Sequence, residues 1–67
     1  MKEQLIEMGF TQGRGKHIVY YGLDHGTLWI HCGVGLVKFE DMTGCVTTLA
    51  HNATIEQISN ILKSIQI

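Results

Sequence analysis

Proline is missing from this 67-residue chain, serine occurs twice, and the two cysteines, Cys32 and Cys45, form no CxxC pair. Without proline, nothing forces a break inside a strand or helix, so glycine has to supply the punctuation. Without closely spaced cysteines there is neither a disulfide framework nor a sequence-local zinc site, and the two thiols read as free groups in a reducing compartment. A bridge between them stays open, because their strands can be neighbours in a sheet. Charge is sparse too: five basic and six acidic residues give a net charge of −1 and form no block. Proteins that track phosphates or anionic membranes are normally basic, so neither nucleic acid nor a membrane is expected as a partner. No apolar run approaches the roughly 18 residues of a membrane span, and Met1-Lys2-Glu3-Gln4 lacks the apolar stretch of a signal peptide. A cytoplasmic location is the expectation.

What the chain does have is periodicity. Four short runs between Lys16 and Ala50 alternate apolar and polar residues, with glycine-containing turns between them. Period two belongs to half-buried strands, and spacing near 3.6 to surface helices. A first helix is predicted from about Lys2 to Met8, with Leu5, Ile6 and Met8 as its apolar stripe and Gly9 as its left-handed stop. Phe10 then packs back on Leu5. A last helix is predicted behind the capping-box pair Thr54 and Gln57, with Ile55, Ile58, Ile61, Leu62 and Ile65 on one face. Ile67 is expected to pack as well. The chain therefore reads as one α+β domain over residues 1–67: a short N-terminal helix, a four-stranded antiparallel meander and a C-terminal helix, with both helices on one sheet face. A chain this short buries only roughly 60% of its unfolded surface, and its total stability falls in the range of about 3–10 kcal/mol. Pairing with a second copy is a ready way to bury more.

Strands are expected at Lys16 to Tyr21, Thr27 to Cys32, Leu36 to Phe39 or Glu40, and Cys45 to Leu49. The first two are joined by the loop Gly22-Leu23-Asp24-His25-Gly26. If Tyr21 faces Thr27, then Tyr20 faces Leu28, Val19 faces Trp29, Ile18 faces Ile30 and His17 faces His31. The second hairpin, closed by Asp41-Met42-Thr43-Gly44, sets Val37 and Phe39 opposite Thr48 and Val46. A bulge is expected in Gly33-Val34-Gly35. On this register the helices cover the side bearing Ile18, Ile30 and Phe39. The bare side presents Val19, Tyr21, Trp29, Leu36 and Leu49 among His17, His31, Lys38 and Thr47. That is more apolar than a solvated sheet face usually is, and it suits a docking surface for a second copy or a larger protein.

Four histidines raise the question of a metal, yet none stands at ligand spacing from another, so no metal and no cofactor are expected. His25 and His51 read as exposed loop residues, Cys32 as a small core residue and Cys45 as half-exposed. Both serines, Ser59 and Ser64, fall on the last helix away from any histidine, which leaves no activated hydroxyl nucleophile. Gly13-Arg14-Gly15-Lys16 is glycine-rich and basic but precedes a strand, whereas a phosphate loop opens a helix; it reads as a connector.

One stretch resembles a known family. From Leu5 to Tyr21 the short helix ending in Gly9-Phe10, followed by Arg14-Gly15-Lys16-His17 and Ile18-Val19-Tyr20-Tyr21, is similar to the N-terminal half of HicA-type mRNA interferase toxins. Ile61-Leu62-Lys63-Ser64-Ile65 is similar to the helix that ends those proteins. The resemblance covers about a third of the chain. It implies a fold related to double-stranded RNA-binding domains, His17 as general acid/base and Lys16 or Arg14 as a phosphate contact. The chain departs from that family in its slight acidity, its extra hairpin and its lack of proline. The favoured expectation is a non-enzymatic interaction module, with Val19, Tyr21, Trp29, His31, Leu36 and Leu49 as its contact residues. An RNA-acting enzyme built on His17 is the alternative.

Overall fold

A computed structural model describes residues 1–66, so the expected packing of Ile67 lies outside the described residues. The chain opens with α1 (Lys2–Glu7), whose end follows from its sequence. Gly9 turns to φ 109°, its N–H donates to the Ile6 carbonyl at 3.0 Å, and the N–H of Phe10 donates to the Leu5 carbonyl at 3.1 Å. These two bonds are the Schellman pair. Leu5 and Phe10 both end up buried in the core.

Next comes a strand the periodicity does not reveal, β1 (Thr11–Gln12), followed by β2 (Ile18–Leu23), β3 (Gly26–His31), β4 (Leu36–Asp41) and β5 (Val46–Ala50). Two residues are too few for alternation to register. The sheet is a five-stranded antiparallel meander in chain order, rather than the four-stranded one expected. The chain closes with α2 (Ile55–Ile65), capped by Thr54 and Gln57 in the reciprocal box the sequence announces. Ile58 and Leu62 are its buried residues, and Ile55, Ile61 and Ile65 pack at their margin.

Register is where expectation and structure part. Leu23 pairs with Gly26, so the first full hairpin turns on Asp24 and His25 alone instead of a five-residue loop. That moves the β2–β3 pairing by one residue, which exchanges the faces of one strand relative to the other. Val19 now faces Ile30, Tyr20 faces Trp29, and Tyr21 faces Leu28. The next link carries no bulge: β3 and β4 pair without a shift, from Gly26 opposite Asp41 to His31 opposite Leu36. The irregularity lies one hairpin later, at Val37/Lys38, where Phe39 faces Thr47, Glu40 faces Val46 and Val37 faces Ala50.

Directly paired residues share a face. One face therefore carries the rows Val19–Ile30–Val37 and Tyr21–Leu28–Phe39. Val19, Leu28, Ile30 and Val37 are fully buried there in one cluster with Leu5 of α1 and Ile58 and Leu62 of α2. Among the described residues no helix is long and apolar enough to cross a membrane.

Candidate functional site

The face away from that cluster is built of three rows. Ile18, His31 and Leu36 form one; Thr11, Tyr20, Trp29, Lys38 and Thr48 the second; Thr27, Glu40 and Val46 the third. Tyr20 and Trp29 are cross-strand partners with ring centroids 5.0 Å apart and planes inclined at 42°. The indole N–H of Trp29 donates to Oε1 of Glu40 at 3.2 Å. That bond holds the ring in one orientation and fixes Glu40 across its edge, while Lys38 stands exposed beside it. A half-buried aromatic pair with a satisfied polar tip offers a rigid contact area at little entropic cost.

Two shallow depressions flank Trp29. One, of about 540 Å³, lies toward the β1–β2 hairpin, between Tyr20, Ile18 and the tip at Arg14. The other, of about 290 Å³, is bounded by Leu36, Lys38, Glu40 and Val46. The segment read as a connector is in fact this hairpin tip. The side-chain amide of Gln12 donates to the carbonyls of Gly13, Gly15 and Ile18 at 3.2, 2.9 and 3.2 Å. Lys2 at the start of α1 donates to the Lys16 carbonyl at 3.1 Å, which ties the tip to the helix.

Of the six contact residues expected from sequence, Trp29, His31 and Leu36 lie on this bare face. Three do not. Val19 is fully buried in the core, and Tyr21 sits on the helix side, its ring 5.4 Å from Phe10 and its hydroxyl accepting from the Gln66 side chain at 3.1 Å. Leu49 flanks the depression formed with Ile61 and Ile65 of α2, and Thr47, paired with Phe39, also belongs to the helix side. Both β2 errors have one cause, the two-residue turn; Thr47 changes side because the β4–β5 pairing starts one residue off the expected register, with Phe39 opposite Thr47 instead of Val46, and Leu49 is the residue left over at the bulge. The residues missed are Ile18, Tyr20 and Val46. Alternation within β2 already separates Tyr20 from Tyr21, but only the length of the turn tells which of them joins Trp29.

The histidines are not brought together. His31 faces Ile18, while the carbonyl of His17 accepts the Cys32 N–H at 2.7 Å, so the expected His17–His31 pair is offset by one residue. Nδ1 of His31 is buried with no hydrogen-bond partner. His17 is exposed on the hairpin tip with Arg14 and Lys16, and His25 and His51 are exposed in their loops. Among the described residues no group of three or more His, Cys, Asp or Glu side chains is gathered in a way that could hold a metal ion. Both cysteines are free. Burial pushes the Cys32 thiol above its usual range, against the opposing pull of the N-terminal amine and Lys2. Comparison with known protein families, with characterised proteins and with solved structures gives no match.

Proposed function

We propose that this protein is a non-enzymatic interaction module that binds protein, either a second copy or a larger partner, through the bare face of its sheet. The observation that supports this best is the Tyr20–Trp29 pair, 5.0 Å apart, on the face opposite the helix-packed core. Ile18 and Leu36 extend it as half-buried neighbours, and Val46 extends it 56% exposed. Trp and Tyr held in fixed orientations are the side chains that most often anchor protein contacts, and Lys38 and Glu40 supply the polar rim such a centre needs. The bare face keeps its support even though Tyr21 left it, because Tyr20 takes the place beside Trp29.

Trp29→Asp is the test. It places a charge at the centre of the face and leaves the buried cluster untouched. Light scattering and capture on immobilised protein are expected to show the wild type engaging a second copy or a larger protein through this face, and the variant losing that bare-face contact by tenfold or more. A strictly monomeric wild type, with Trp29→Asp unchanged in solubility and in what it captures, overturns the reading.

The RNA-acting alternative has one specific observation in its favour. His17, Arg14 and Lys16 stand exposed together on the β1–β2 tip, next to the depression lined by Tyr20 and Trp29. In that reading His17 acts as general acid/base on a phosphodiester. RNA cleavage in vitro and growth arrest on expression, both abolished by His17→Ala, are its signature; cleavage unaltered by that change removes it.

A further inference from the structure

The two edges of the sheet are finished differently. At one, β1 is two residues long and continues into a glycine-rich tip carrying Arg14 and Lys16. Short strands and positive charge are how proteins blunt an edge against pairing. At the other, β5 pairs with β4 alone, and from Cys45 to Ala50 it holds neither a charge nor a proline. Val46, Thr47 and Thr48 are all exposed residues that favour extended backbone. The bulge opposite Val37/Lys38 bends the strand only beyond Thr48, so this stretch stays regular. Immediately beside it, on the helix side, Leu49, Ile61 and Ile65 border an open apolar depression.

We infer that β5 pairs antiparallel with β5 of a second copy across a two-fold axis at Thr47, so that two five-stranded meanders form one continuous sheet. Two features select a second copy over a foreign strand. The segment complements itself: with Thr47 opposite its own mate, Val46 meets Thr48, and those two already share the bare face. No like charges meet. The second feature is area. A specific interface buries about 800 Å² per partner, which is a large share of the 4423 Å² this chain exposes. A three-residue stretch of strand cannot supply that area, and a foreign extended peptide leaves the neighbouring depression open. A two-fold through β5 brings Leu49, Ile61 and Ile65 of both copies to the same seam. The pairing goes beyond the bare-face reading. It leaves Tyr20 and Trp29 uncovered and doubles the face they offer to a larger protein.

Sedimentation equilibrium of the full chain and of Thr47→Lys, Thr47→Glu and Trp29→Asp tests it. The wild type is expected to dimerise, and each Thr47 variant alone to dimerise several-fold more weakly because like charges oppose across the axis. An equimolar mixture of the two is expected to recover the dimer at low salt and lose that advantage at about 0.5 M salt. Trp29→Asp is expected to keep the β5-to-β5 dimer, even where it loses a contact made through the bare face. Thr47→Cys in a Cys32→Ser, Cys45→Ser background is expected to cross-link on oxidation, which places the axis independently of charge. A wild type that stays monomeric to roughly 1 mM overturns the inference. So do Thr47 variants that dimerise as tightly as the wild type, and so does a dimer that only Trp29→Asp dissociates.

Discussion

Along β3 the side chains alternate between two environments. Leu28 and Ile30 are sealed in the cluster with the helices, while Thr27, Trp29 and His31 stay half-buried on the bare side. The largest apolar residue of the chain is thus on the less protected face. Alternation along the strand separates the two sides, but which sides of neighbouring strands lie together under the helices is set by hairpin register. The difference is energetic as well. On the sealed face a side chain contributes all of its apolar area to folding, and on the bare face a half-buried one keeps part of that area open to a partner.

The sharpest way to break that comparison is to truncate neighbours in β3. Ile30→Ala leaves a cavity in the buried cluster and is expected to cost about 2–5 kcal/mol, a large part of the stability a chain of this size possesses. Trp29→Ala removes more atoms yet is expected to cost only about 1–2 kcal/mol, from the Tyr20 contact and the bond to Glu40. Urea unfolding of the two variants measures both. Equal losses would mean that the bare face is part of the folding core.

Two glycines draw the same contrast in the backbone. Gly35 and Gly44 both have positive φ, 67° and 90°, in successive hairpin loops. A Cβ on Gly35 would meet the backbone of Ala53 at 2.7 Å, where the chain enters α2 and the Ala53 N–H donates to the Gly35 carbonyl at 3.0 Å. A Cβ on Gly44 would meet nothing within 4 Å. Gly35→Ala is therefore expected to cost about 2–3 kcal/mol, and Gly44→Ala about 1 kcal/mol from the left-handed backbone alone. Thermal midpoints compare them. Similar shifts would show that the loop under α2 yields without resistance.

How much of this was legible in the sequence depends on the range of the signal. The helices were: Gly9-Phe10 and the Thr54–Gln57 box are local codes, and both form as written. Strands β2 to β5 were legible to within about two residues at each end, as was the division of each strand into two sides. The pairing of those sides was not. It turns on whether Gly22-Leu23-Asp24-His25-Gly26 closes as five residues or as two, and glycine at both ends is compatible with either. Tyr21 and Val19 were assigned to the wrong side for that reason alone. Glycine tolerates a bulge and Gly33-Val34-Gly35 invites one, but the extra residue is Leu49 of β5, opposite Val37 and Lys38. No local residue marks that position.

The smallest expected effect concerns the turn that feeds the unblunted edge. Oδ1 of Asp41 accepts from the Thr43 hydroxyl at 2.6 Å, the Thr43 N–H at 2.9 Å and the Cys45 N–H at 3.1 Å. The Thr43 hydroxyl does most to hold this carboxyl below its usual range, with backbone N–H groups helping and partial burial opposing. A carboxylate whose pKa is depressed by folding contributes stability at pH values above its unfolded pKa, near 4, and loses it as pH falls through the lower folded value. Asp41→Asn keeps the shape of the side chain but removes the charge that draws the three donors. It is expected to lower the urea midpoint slightly at neutral pH and to flatten the acid limb of the stability profile. Because the same carboxylate orders Cys45 just before β5, hydrogen exchange in Val46 to Thr48 is expected to rise in the variant while exchange in β2 and β3 does not change. Uniform acceleration across the sheet would mean that the edge strand is not separable from the centre, and the contrast between a sealed interior and a surface held ready for contact would no longer extend to β5.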